Sequence, residues 1–306
     1  MLAFLFPGQG SQAAGMGRDL FEQFDVARRT FEEANDALNF DLATLCFNGP
    51  EDDLKLTENT QPAILTHSVA ALRVLQQETG LEADLVAGHS LGEYSALVAA
   101  GALAFSDAVK TVRARGQFMQ QAVPVGEGAM AAILGLDPET LRLVCEEASQ
   151  GRVVAPANFN SAGQVVIAGH ADAVGRAVDL AKEKGAKRAL PLPVSAPFHC
   201  RLMQPAADRL AEVLADVEIG ELRVPVVTNV EARPNKDATR VRELLVTQVC
   251  APVRWEESMN YMVEQGVSRF IEIGPGKVLV GLIKRLARGA TLQNLGTVAD
   301  LEDLKA

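Results

Sequence analysis

The stretch DLVAGHSLGEYSA, residues 84–96, decides the fold of this chain. An apolar run at 85–87 ends in a glycine-rich turn, and helix-forming residues follow from 93 to 100. A strand, a sharp turn and a helix in this order are the context that a G-x-S-x-G nucleophile elbow requires. The flanking glycines let the strand and the helix approach closely, which exposes the serine hydroxyl above the sheet edge. Ser90 is therefore predicted to attack a carbonyl group.

The composition indicates a soluble globular protein. The chain has 306 residues, of which 48% are hydrophobic and 22% charged, enough for a large domain or a core domain with an insert. The apolar run at residues 1–6 is too short for a membrane span or a signal peptide, so we expect a cytoplasmic protein that does not associate with membranes. The net charge of -10 argues against nucleic-acid binding. We also expect a monomer.

The four cysteines are scattered along the chain and form no C-x-x-C pair. This spacing predicts reduced thiols and suggests neither a zinc site nor a disulfide framework.

Strands and helices alternate through most of the chain, which predicts a mostly parallel sheet covered on both faces, as in an α/β-hydrolase-like domain. Residues 49–53 are predicted to form a loop, Pro62 to lie near the first turn of its helix, and Ser106 to cap the helix at 107–121. The predicted strands lie at 2–6, 85–87, 224–228 and 268–273, and the predicted helices at 19–39, 63–78, 93–100, 107–121, 202–214 and 240–249, with a last helix ending at 286.

The pattern changes between residues 128 and 193. The predicted strands at 129–134, 153–158, 164–168 and 187–192 and the predicted helices at 137–149 and 172–184 follow one another in the order β-α-β-β-α-β. This order is typical of a ferredoxin-like unit. We therefore predict a small ferredoxin-like domain at 125–194, inserted into a large catalytic domain formed by 1–124 and 195–306. The groove between two such lobes is a favoured place for a ligand.

A glycine loop follows the first predicted strand. It has neither the Lys-Ser/Thr of a phosphate-binding P-loop nor the spacing of a dinucleotide-binding fingerprint. An elbow serine needs two N–H donors for its oxyanion, one from the next residue and one from a neighbouring loop. Leu91 is the first candidate, and Gln9, between Gly8 and Gly10, is the second. A plain turn at Gln9 is the alternative.

Of the four histidines, His199 is the candidate general base. His67 has apolar neighbours at helical spacing and is expected to be packed in the core. His89 adjoins the serine and is expected to point away from it, and His170 lies at the start of a helix of the insert, where a surface or capping role is expected. His199 follows the serine in the chain, on a loop at 193–200 stiffened by two prolines, which is a good mount for a catalytic side chain.

Two residues have competing interpretations. Cys200 could act as the nucleophile beside His199, but adjacent residues rarely direct their side chains at each other. Arg115 could lie on the solvated face of the helix at 107–121, as most helical arginines do.

Six motifs in order resemble the malonyl-CoA:acyl carrier protein transacylases, an acyltransferase family of fatty-acid and polyketide synthesis. The resemblance spans almost the whole chain, and six ordered motifs are far more specific than the elbow alone. The motifs are GQGSQ at 8–12, GHSLGE at 88–93, RGQFMQ at 115–120, NFNS at 158–161, SAPFHC at 195–200 and QVCAPVRW at 248–255.

The resemblance implies a role for each matching residue. Ser90 would be the nucleophile and His199 its base, and Arg115 would bind the malonyl carboxylate. The backbone N–H groups of Gln9 and Leu91 would form the oxyanion hole. A carbonyl of Gln248, from either the side chain or the backbone, would orient His199, since no Asp or Glu occupies an obvious third place in a triad. The remaining implied substrate-binding residues are Gln61, His89, Met119, Asn160 and Phe198, the last resembling the malonyl-type loop of polyketide acyltransferases.

The implied reaction is ping-pong transfer of malonyl from malonyl-CoA, through a malonyl-serine, to the thiol of holo-acyl carrier protein. It needs no metal or redox cofactor, since the CoA thioester is itself the substrate. Three alternatives stay open: a serine thioesterase or hydrolase that uses water as acceptor, an acyltransferase that supplies a polyketide pathway, and a non-catalytic interaction module.

Overall fold

The structure, a computed structural model, describes residues 1–194 and 196–305. Ser195, the first residue of the 195–200 motif and of the second segment of the predicted large domain, lies outside the described residues, as does Ala306. Within the described part of the chain, no helix is both long and apolar enough to cross a membrane.

A six-stranded sheet forms the centre of the molecule, in the order β10-β9-β1-β2-β7-β8. The first five strands in this order are parallel, and β8 runs antiparallel to β7. The elbow strand β2 lies beside β1, so the loops after both strands meet at one edge of the sheet. The strands are β1 (Leu2–Phe6), β2 (Leu85–Gly88), β7 (Val226–Val227), β8 (Pro234–Asn235), β9 (Arg269–Ile273) and β10 (Thr291–Leu295).

A second, four-stranded antiparallel sheet has the order β4-β5-β3-β6. Its strands are β3 (Gly128–Leu134), β4 (Val154–Ser161), β5 (Gln164–His170) and β6 (Arg188–Pro191). With one helix between β3 and β4 and another between β5 and β6, this is the ferredoxin-like arrangement. The predicted fold class, a mostly parallel α/β domain with a small ferredoxin-like insert, is confirmed, while the domain limits of 125–194 stay a prediction.

Fourteen α-helices are found among the described residues. They are α1 (Arg18–Gln23), α2 (Asp25–Leu38), α3 (Leu42–Asn48), α4 (Glu51–Lys55), α5 (Thr57–Thr79), α6 (Gly92–Ala99), α7 (Phe105–Gln121), α8 (Pro138–Ser149), α9 (Ala171–Glu183), α10 (Gln204–Ala215), α11 (Val241–Cys250), α12 (Trp255–Glu264), α13 (Val278–Ile283) and α14 (Val298–Lys305). Short 3-10 turns lie at Arg201–Met203 and Ala238–Arg240. Helices α3, α12 and α14 and strands β8 and β10 were not predicted from the sequence.

Side chains alternate between the two faces of each strand of the large sheet, and both faces are buried. On β1, Phe4 and Phe6 join the apolar cluster formed with α2, α5, α7 and α10, whereas Ala3 and Leu5 join the cluster formed with α12 and α13. The small sheet has its own cluster, shared with α8 and α9. Helices therefore cover both faces, as the alternating pattern predicted.

The single helix predicted at 19–39 is wrong, because the chain breaks at Phe24, which is extended (φ -123°, ψ 121°). The break lets the ring of Phe21 meet that of Phe31, with centroids 5.9 Å apart. In one continuous helix, residues ten apart would be separated by about 15 Å along the axis. A tertiary aromatic contact thus overrides a continuous helical pattern.

The predicted loop at 49–53 and the helix start at 63 are also wrong. Residues from Glu51 onward form α4, whose first turn carries three acidic side chains that favour a helix N-terminus. Helix α5 begins at Thr57, so that Pro62 lies inside the helix. The backbone before Pro62 is held by side chains, since Thr60 Oγ1 donates to Leu54 O and Asn59 Nδ2 to Asp53 O.

Three further boundaries differ from the prediction. The strand expected at 224–228 is limited to β7, because Pro225 has no N–H to donate to a ladder. Helix α7 begins at Phe105, which is buried in the core, and Ser106 is not its cap. Helix α13 ends at Ile283, where the chain tightens into a turn with Leu286 N donating to Ile283 O.

His67 is packed in the core, as predicted. It lies in α5, is 2% exposed, and its Nε2 is 2.9 Å from Gly296 O. Because a carbonyl oxygen only accepts, Nε2 carries the proton, and Nδ1 has no partner among the described residues. Burial lowers the pKa of His67 to about 4.

This histidine should make the protein acid-sensitive. Its folded pKa lies below the ordinary value near 6.5, so the unfolded state binds the extra proton and stability falls as pH drops below that value. Between pH 7 and pH 5 the wild type should lose about 2 kcal/mol more unfolding free energy than His67→Gln, which keeps a donor for Gly296 O. Urea titrations at both pH values measure the difference, and equal losses in the two proteins would contradict it.

Candidate active site

The elbow between β2 and α6 is built by close backbone approach. Ser90 has a left-handed backbone (φ 53°), an uncommon state for a non-glycine residue. A Cβ at Gly92 would lie 2.1 Å from Phe6 O, and a Cβ at Gly88 would lie 1.9 Å from the carbonyl carbon of Gly92. Both positions therefore require glycine, and the turn between them presents the half-buried Ser90 at the carboxyl end of β2.

His199 lies in position to take the serine proton. Its Nε2 is 2.7 Å from Ser90 Oγ, and its Nδ1 is 2.9 Å from the backbone oxygen of Gln248. Because that oxygen can only accept, Nδ1 carries the ring proton, and Nε2 accepts from the serine hydroxyl. Burial, followed by the positive charge of Arg115, lowers the pKa of His199 to about 3. The imidazole is thus neutral near pH 7.

The carbonyl next to His199 belongs to the backbone of Gln248, a choice that the sequence left open. The side chain of Gln248 serves other contacts. Cys200, the alternative nucleophile, donates from Sγ to Pro197 O at 3.1 Å, and burial raises its pKa to about 11. A protonated thiol engaged in this way is a poor nucleophile.

Arg115 is 1% exposed, so the alternative of a solvated arginine is wrong. Its Nη1 donates to Gln61 Oε1 at 2.8 Å. Its Nη2 donates to Gln248 Oε1 at 3.0 Å and to Ser90 Oγ at 3.2 Å. Among the described residues, all three hydrogen bonds of the guanidinium end on neutral oxygens, and Nε has no partner. A buried cation held only by neutral oxygens is a ready site for an anion.

The other predicted substrate-binding residues fall into two groups around Ser90. Gln61 and Met119 lie beside Arg115, with Gln61 Nε2 3.8 Å from Met119 Sδ. His89 and Asn160 lie together on another side, with His89 Nε2 2.8 Å from Asn160 Oδ1. Phe198, next to His199 in the chain, is almost fully buried.

The two sheets meet near His89. Its ring lies 5.5 Å from that of Trp255, on the segment that follows Gln248. Val253 forms a parallel bridge with Asn158 of β4, through hydrogen bonds from Val253 N to Ala157 O and from Phe159 N to Val253 O, both 2.9 Å. The small sheet is thereby hydrogen-bonded to the segment that carries Gln248. His170, by contrast, lies at the start of α9, where its Nδ1 accepts from Val153 N.

The loop after β1 lies against the elbow, since a Cβ at Gly8 would be 2.5 Å from His89 O. Within the described residues, neither Gln9 N nor Leu91 N donates a hydrogen bond, whereas Gln9 Nε2 donates to Thr57 Oγ1 at 3.2 Å. Both N–H groups are therefore available as donors. Their role as an oxyanion hole stays a prediction.

Sequence reasoning missed Glu93 and Asn229. Asn229 Oδ1 accepts from Ser90 N at 2.7 Å, its Nδ2 donates to Gly88 O at 2.6 Å, and its own N donates to Glu93 Oε2 at 2.9 Å. Asn229 follows the strand beside the elbow strand, and the ends of neighbouring parallel strands are where site residues collect. Glu93 stands one turn after the serine within the GHSLGE motif. The position of Asn229 after a neighbouring strand and that of Glu93 within the GHSLGE motif could therefore have marked both as candidate site residues.

The model of the acyl transferase domain matches residues 3–300. The chain belongs to the acyl transferase family. Curated relatives of this acyl transferase include the malonyl CoA-acyl carrier protein transacylases of Escherichia coli K12, 54% identical over 96% of this chain and 95% of that protein, and of Bacillus subtilis 168, 54% identical over 94% and 90%. The resemblance stated from the six motifs is confirmed.

Solved structures place this acyl transferase in the same group. The malonyl CoA-acyl carrier protein transacylase of Coxiella burnetii superposes with a TM-score of 0.97 at 49% identity, covering 99% of this chain and 96% of that one. A type II polyketide acyl carrier protein in complex with its malonyl-transacylase contains a chain with a TM-score of 0.96 at 51% identity, covering 98% and 97%.

The elbow of this acyl transferase should not tolerate a methyl group at Gly92. The Cβ of Gly92→Ala would overlap Phe6 O and force β1 and α6 apart, at a cost of at least about 2 kcal/mol. Thermal and urea unfolding measure the loss.

Gly175→Ala is the matched control, because this glycine of α9 is exposed and has nothing within 4 Å of its Cβ position. It should stabilise the protein by about 0.5–1 kcal/mol. Equal effects of the two substitutions would contradict the tight elbow.

Proposed function

We propose that this acyl transferase moves malonyl from malonyl-CoA to the phosphopantetheine thiol of holo-acyl carrier protein through a malonyl-Ser90 intermediate. The observation that supports it most directly is the position of Ser90 Oγ, 2.7 Å from the neutral base His199 and 3.2 Å from the buried guanidinium of Arg115. A malonyl group attached to Ser90 Oγ would therefore be long enough for its carboxylate to reach the guanidinium of Arg115.

In the first half-reaction Ser90 Oγ attacks the thioester carbon while His199 Nε2 takes its proton. The backbone carbonyl of Gln248 keeps the ring in the required tautomer and stabilises the imidazolium, although less than a carboxylate would. The N–H groups of Gln9 and Leu91 receive the developing oxyanion. Collapse of the tetrahedral intermediate expels CoA, whose thiolate takes the proton from His199.

In the second half-reaction the carrier thiol gives its proton to His199 and attacks the serine ester. The ester bond to Ser90 breaks as the new thioester forms, and the proton returns from His199 to Ser90 Oγ. The methylene group between carboxylate and carbonyl stays intact in both steps. The reaction therefore loads the acyl group onto the carrier and does not condense it.

The malonyl carboxylate is proposed to bind Arg115. A guanidinium can hold a carboxylate through two parallel hydrogen bonds, and the present neutral partners, Gln61 and Gln248, leave the guanidinium without a hydrogen-bonded anion. Gln61 and Met119 then flank the carboxylate end, while His89, Asn160 and Phe198 line the rest of the site. A thioesterase of uncharged acyl groups has no reason to bury a cation near its serine, so the site favours an acyl group that ends in a carboxylate.

The reaction uses no metal or redox cofactor, because proton transfer and acyl transfer are complete with Ser90 and His199. The protein acts as a monomer in the cytoplasm. The net charge of -10 disfavours a nucleic-acid partner. Carriers of fatty-acid and of polyketide synthesis are both acceptable substrates for this chemistry.

Intact-protein mass spectrometry tests the nucleophile. After mixing with malonyl-CoA, the wild type and Cys200→Ala should carry one malonyl group, and Ser90→Ala should fold normally and carry none. Adding holo-acyl carrier protein should move the group to the carrier. An adduct on Ser90→Ala would contradict the assignment, and release of free malonate in place of malonyl-carrier would identify a hydrolase.

Substrate choice should depend on Arg115. Loss of a charged hydrogen-bond partner costs roughly 1.5–3 kcal/mol, so Arg115→Ala should lower kcat/KM for malonyl-CoA by about tenfold to a hundredfold or more. Acetyl transfer should not fall with it, because acetyl has no carboxylate. Parallel kcat/KM values on both thioesters measure the effect.

Arg113→Ala serves as the control, since Arg113 lies on the same helix but stacks on the Phe40 ring, with Cζ 4.4 Å from its centroid. The ratio of its kcat/KM for malonyl-CoA to its kcat/KM for acetyl-CoA, the malonyl-to-acetyl ratio, should equal that of the wild type. Equal losses on both thioesters in Arg115→Ala would mean that Arg115 supports the fold or the CoA portion.

A further inference from the structure

A buried carboxyl group lies next to the elbow and takes no part in the proton and acyl transfers of Ser90 and His199. Glu93 is 2% exposed and follows the nucleophile by one turn at the start of α6. Its Oε2 accepts two hydrogen bonds, from Gln248 Nε2 and from Asn229 N, both at 2.9 Å. Glu93 therefore contacts Gln248 and Asn229, the two side chains that are hydrogen-bonded to the backbone of the elbow.

The amide of Gln248 connects Glu93 to Arg115. Its nitrogen donates to Glu93 Oε2 and, at 3.0 Å, to Ser90 O, whereas its oxygen accepts from Arg115 Nη2 at 3.0 Å. A flipped amide would direct its oxygen at the carboxylate and its NH2 at the guanidinium, and both contacts would be repulsive. The acceptor in Glu93 thus keeps the Gln248 oxygen turned toward the guanidinium.

Glu93 and Arg115 are opposite charges separated by a single amide. The side chains facing Glu93 from β7 and α11, namely Val226, Val241, Leu244 and Gln248, carry no charge, and neither do Thr228 and Asn235. Among the described residues, Tyr94 on α6 also lies close to this pair, with its ring centroid 5.7 Å from Arg115 Cζ, and the nearby imidazole of His199 is neutral. Burial raises the pKa of Glu93 to about 7, against the opposing effects of its hydrogen bonds and of Arg115.

We infer that Glu93 is a positioning and specificity-determining residue of the malonyl transfer proposed above, which turns the Gln248 amide oxygen toward Arg115 and, by its negative charge, limits how tightly Arg115 holds the acyl carboxylate. The inference rests on the proposed function. An ionised Glu93 and an incoming malonyl carboxylate compete for the same guanidinium, whereas the binding of an uncharged acetyl group does not depend on that charge.

Glu93→Gln isolates the charge, because the two hydrogen bonds end on one oxygen and a glutamine oxygen can accept both. The KM for malonyl-CoA should fall by about threefold to tenfold relative to the wild type, because the malonyl carboxylate is no longer repelled by the negative charge of Glu93. The KM for acetyl-CoA should not change. Glu93→Ala, which removes the acceptor as well, should instead lower kcat for malonyl and reduce the malonyl-to-acetyl ratio.

Glu272→Gln is the matched control. Glu272 is fully buried in β9 and accepts from the backbone N–H groups of Leu279 and Val280, outside the network of Arg115. This substitution also removes a buried carboxylate, and its malonyl-to-acetyl ratio should equal that of the wild type. Because the ratio does not depend on the fraction of active protein, it separates specificity from stability.

The pH dependence of the wild type gives a second measurement that needs no variant. Glu93 is anionic above its pKa, so the KM for malonyl-CoA should rise between pH 6 and pH 8, while that for acetyl-CoA stays level. The rise should vanish in Glu93→Gln. Equal changes for both thioesters, or a Glu93→Gln variant with an unchanged ratio, would overturn the inference and leave the malonyl transfer intact. A wild type that transfers no malonyl would instead overturn the proposed function.

Discussion

The 2.7 Å hydrogen bond between Ser90 Oγ and His199 Nε2 is the contact on which the site depends, and both partners hold it from left-handed backbones. Such conformations cost of the order of 1–3 kcal/mol each and persist only where the surroundings leave no alternative. For Ser90 the surroundings are Gly88 and Gly92, which allow β1 to press against the elbow. For His199 they are the backbone oxygen of Gln248 and the prolines of its loop. The geometry of this pair is therefore supported by the close packing of β1, β2 and α6 and by the contacts of the His199 loop.

Three buried titratable groups, Arg115, His199 and Glu93, determine the electrostatics of the site. Burial and, after it, the positive charge of Arg115 lower the pKa of His199, so its imidazole is neutral and weakly basic. A carboxylate bound to Arg115 would offset that positive charge and strengthen the base. Substrates with a carboxylate would then be favoured twice, by binding and by activation of the serine. The negative charge of Glu93 already offsets part of the positive charge of Arg115 before such a carboxylate binds.

Much of the site could be predicted from the sequence because its parts are local. The elbow needs its two glycines within five residues of each other, and the order of elements in the insert is a property of sequence alone. His199 could be singled out because the neighbours of each other histidine favour a non-catalytic role, and His67 indeed lies in the core. Roles that combine distant segments were harder. Asn229 meets Ser90 and Glu93 across the sheet, and the acceptor of the His199 Nδ1 hydrogen bond is a backbone carbonyl, which no residue type reveals.

The helical boundaries failed for a related reason. Phe24 interrupts a good amphipathic pattern because Phe21 and Phe31 pack against each other, and α5 extends through Pro62 because side chains of the preceding turn hold the chain. Both outcomes depend on contacts between elements. Local propensity describes a segment in isolation and cannot include them.

The bridge between Asn158 and Val253 has a mechanical consequence. The segment from Gln248 to Trp255 therefore links the two sheets. The backbone oxygen of Gln248 lies 2.9 Å from His199 Nδ1, and Val253 is hydrogen-bonded to β4. A tilt of the small sheet would therefore move Val253 and, through this segment, the backbone oxygen of Gln248. A partner protein that binds only the small sheet and its helices would then change the hydrogen bonding of His199 without contacting Ser90 or His199.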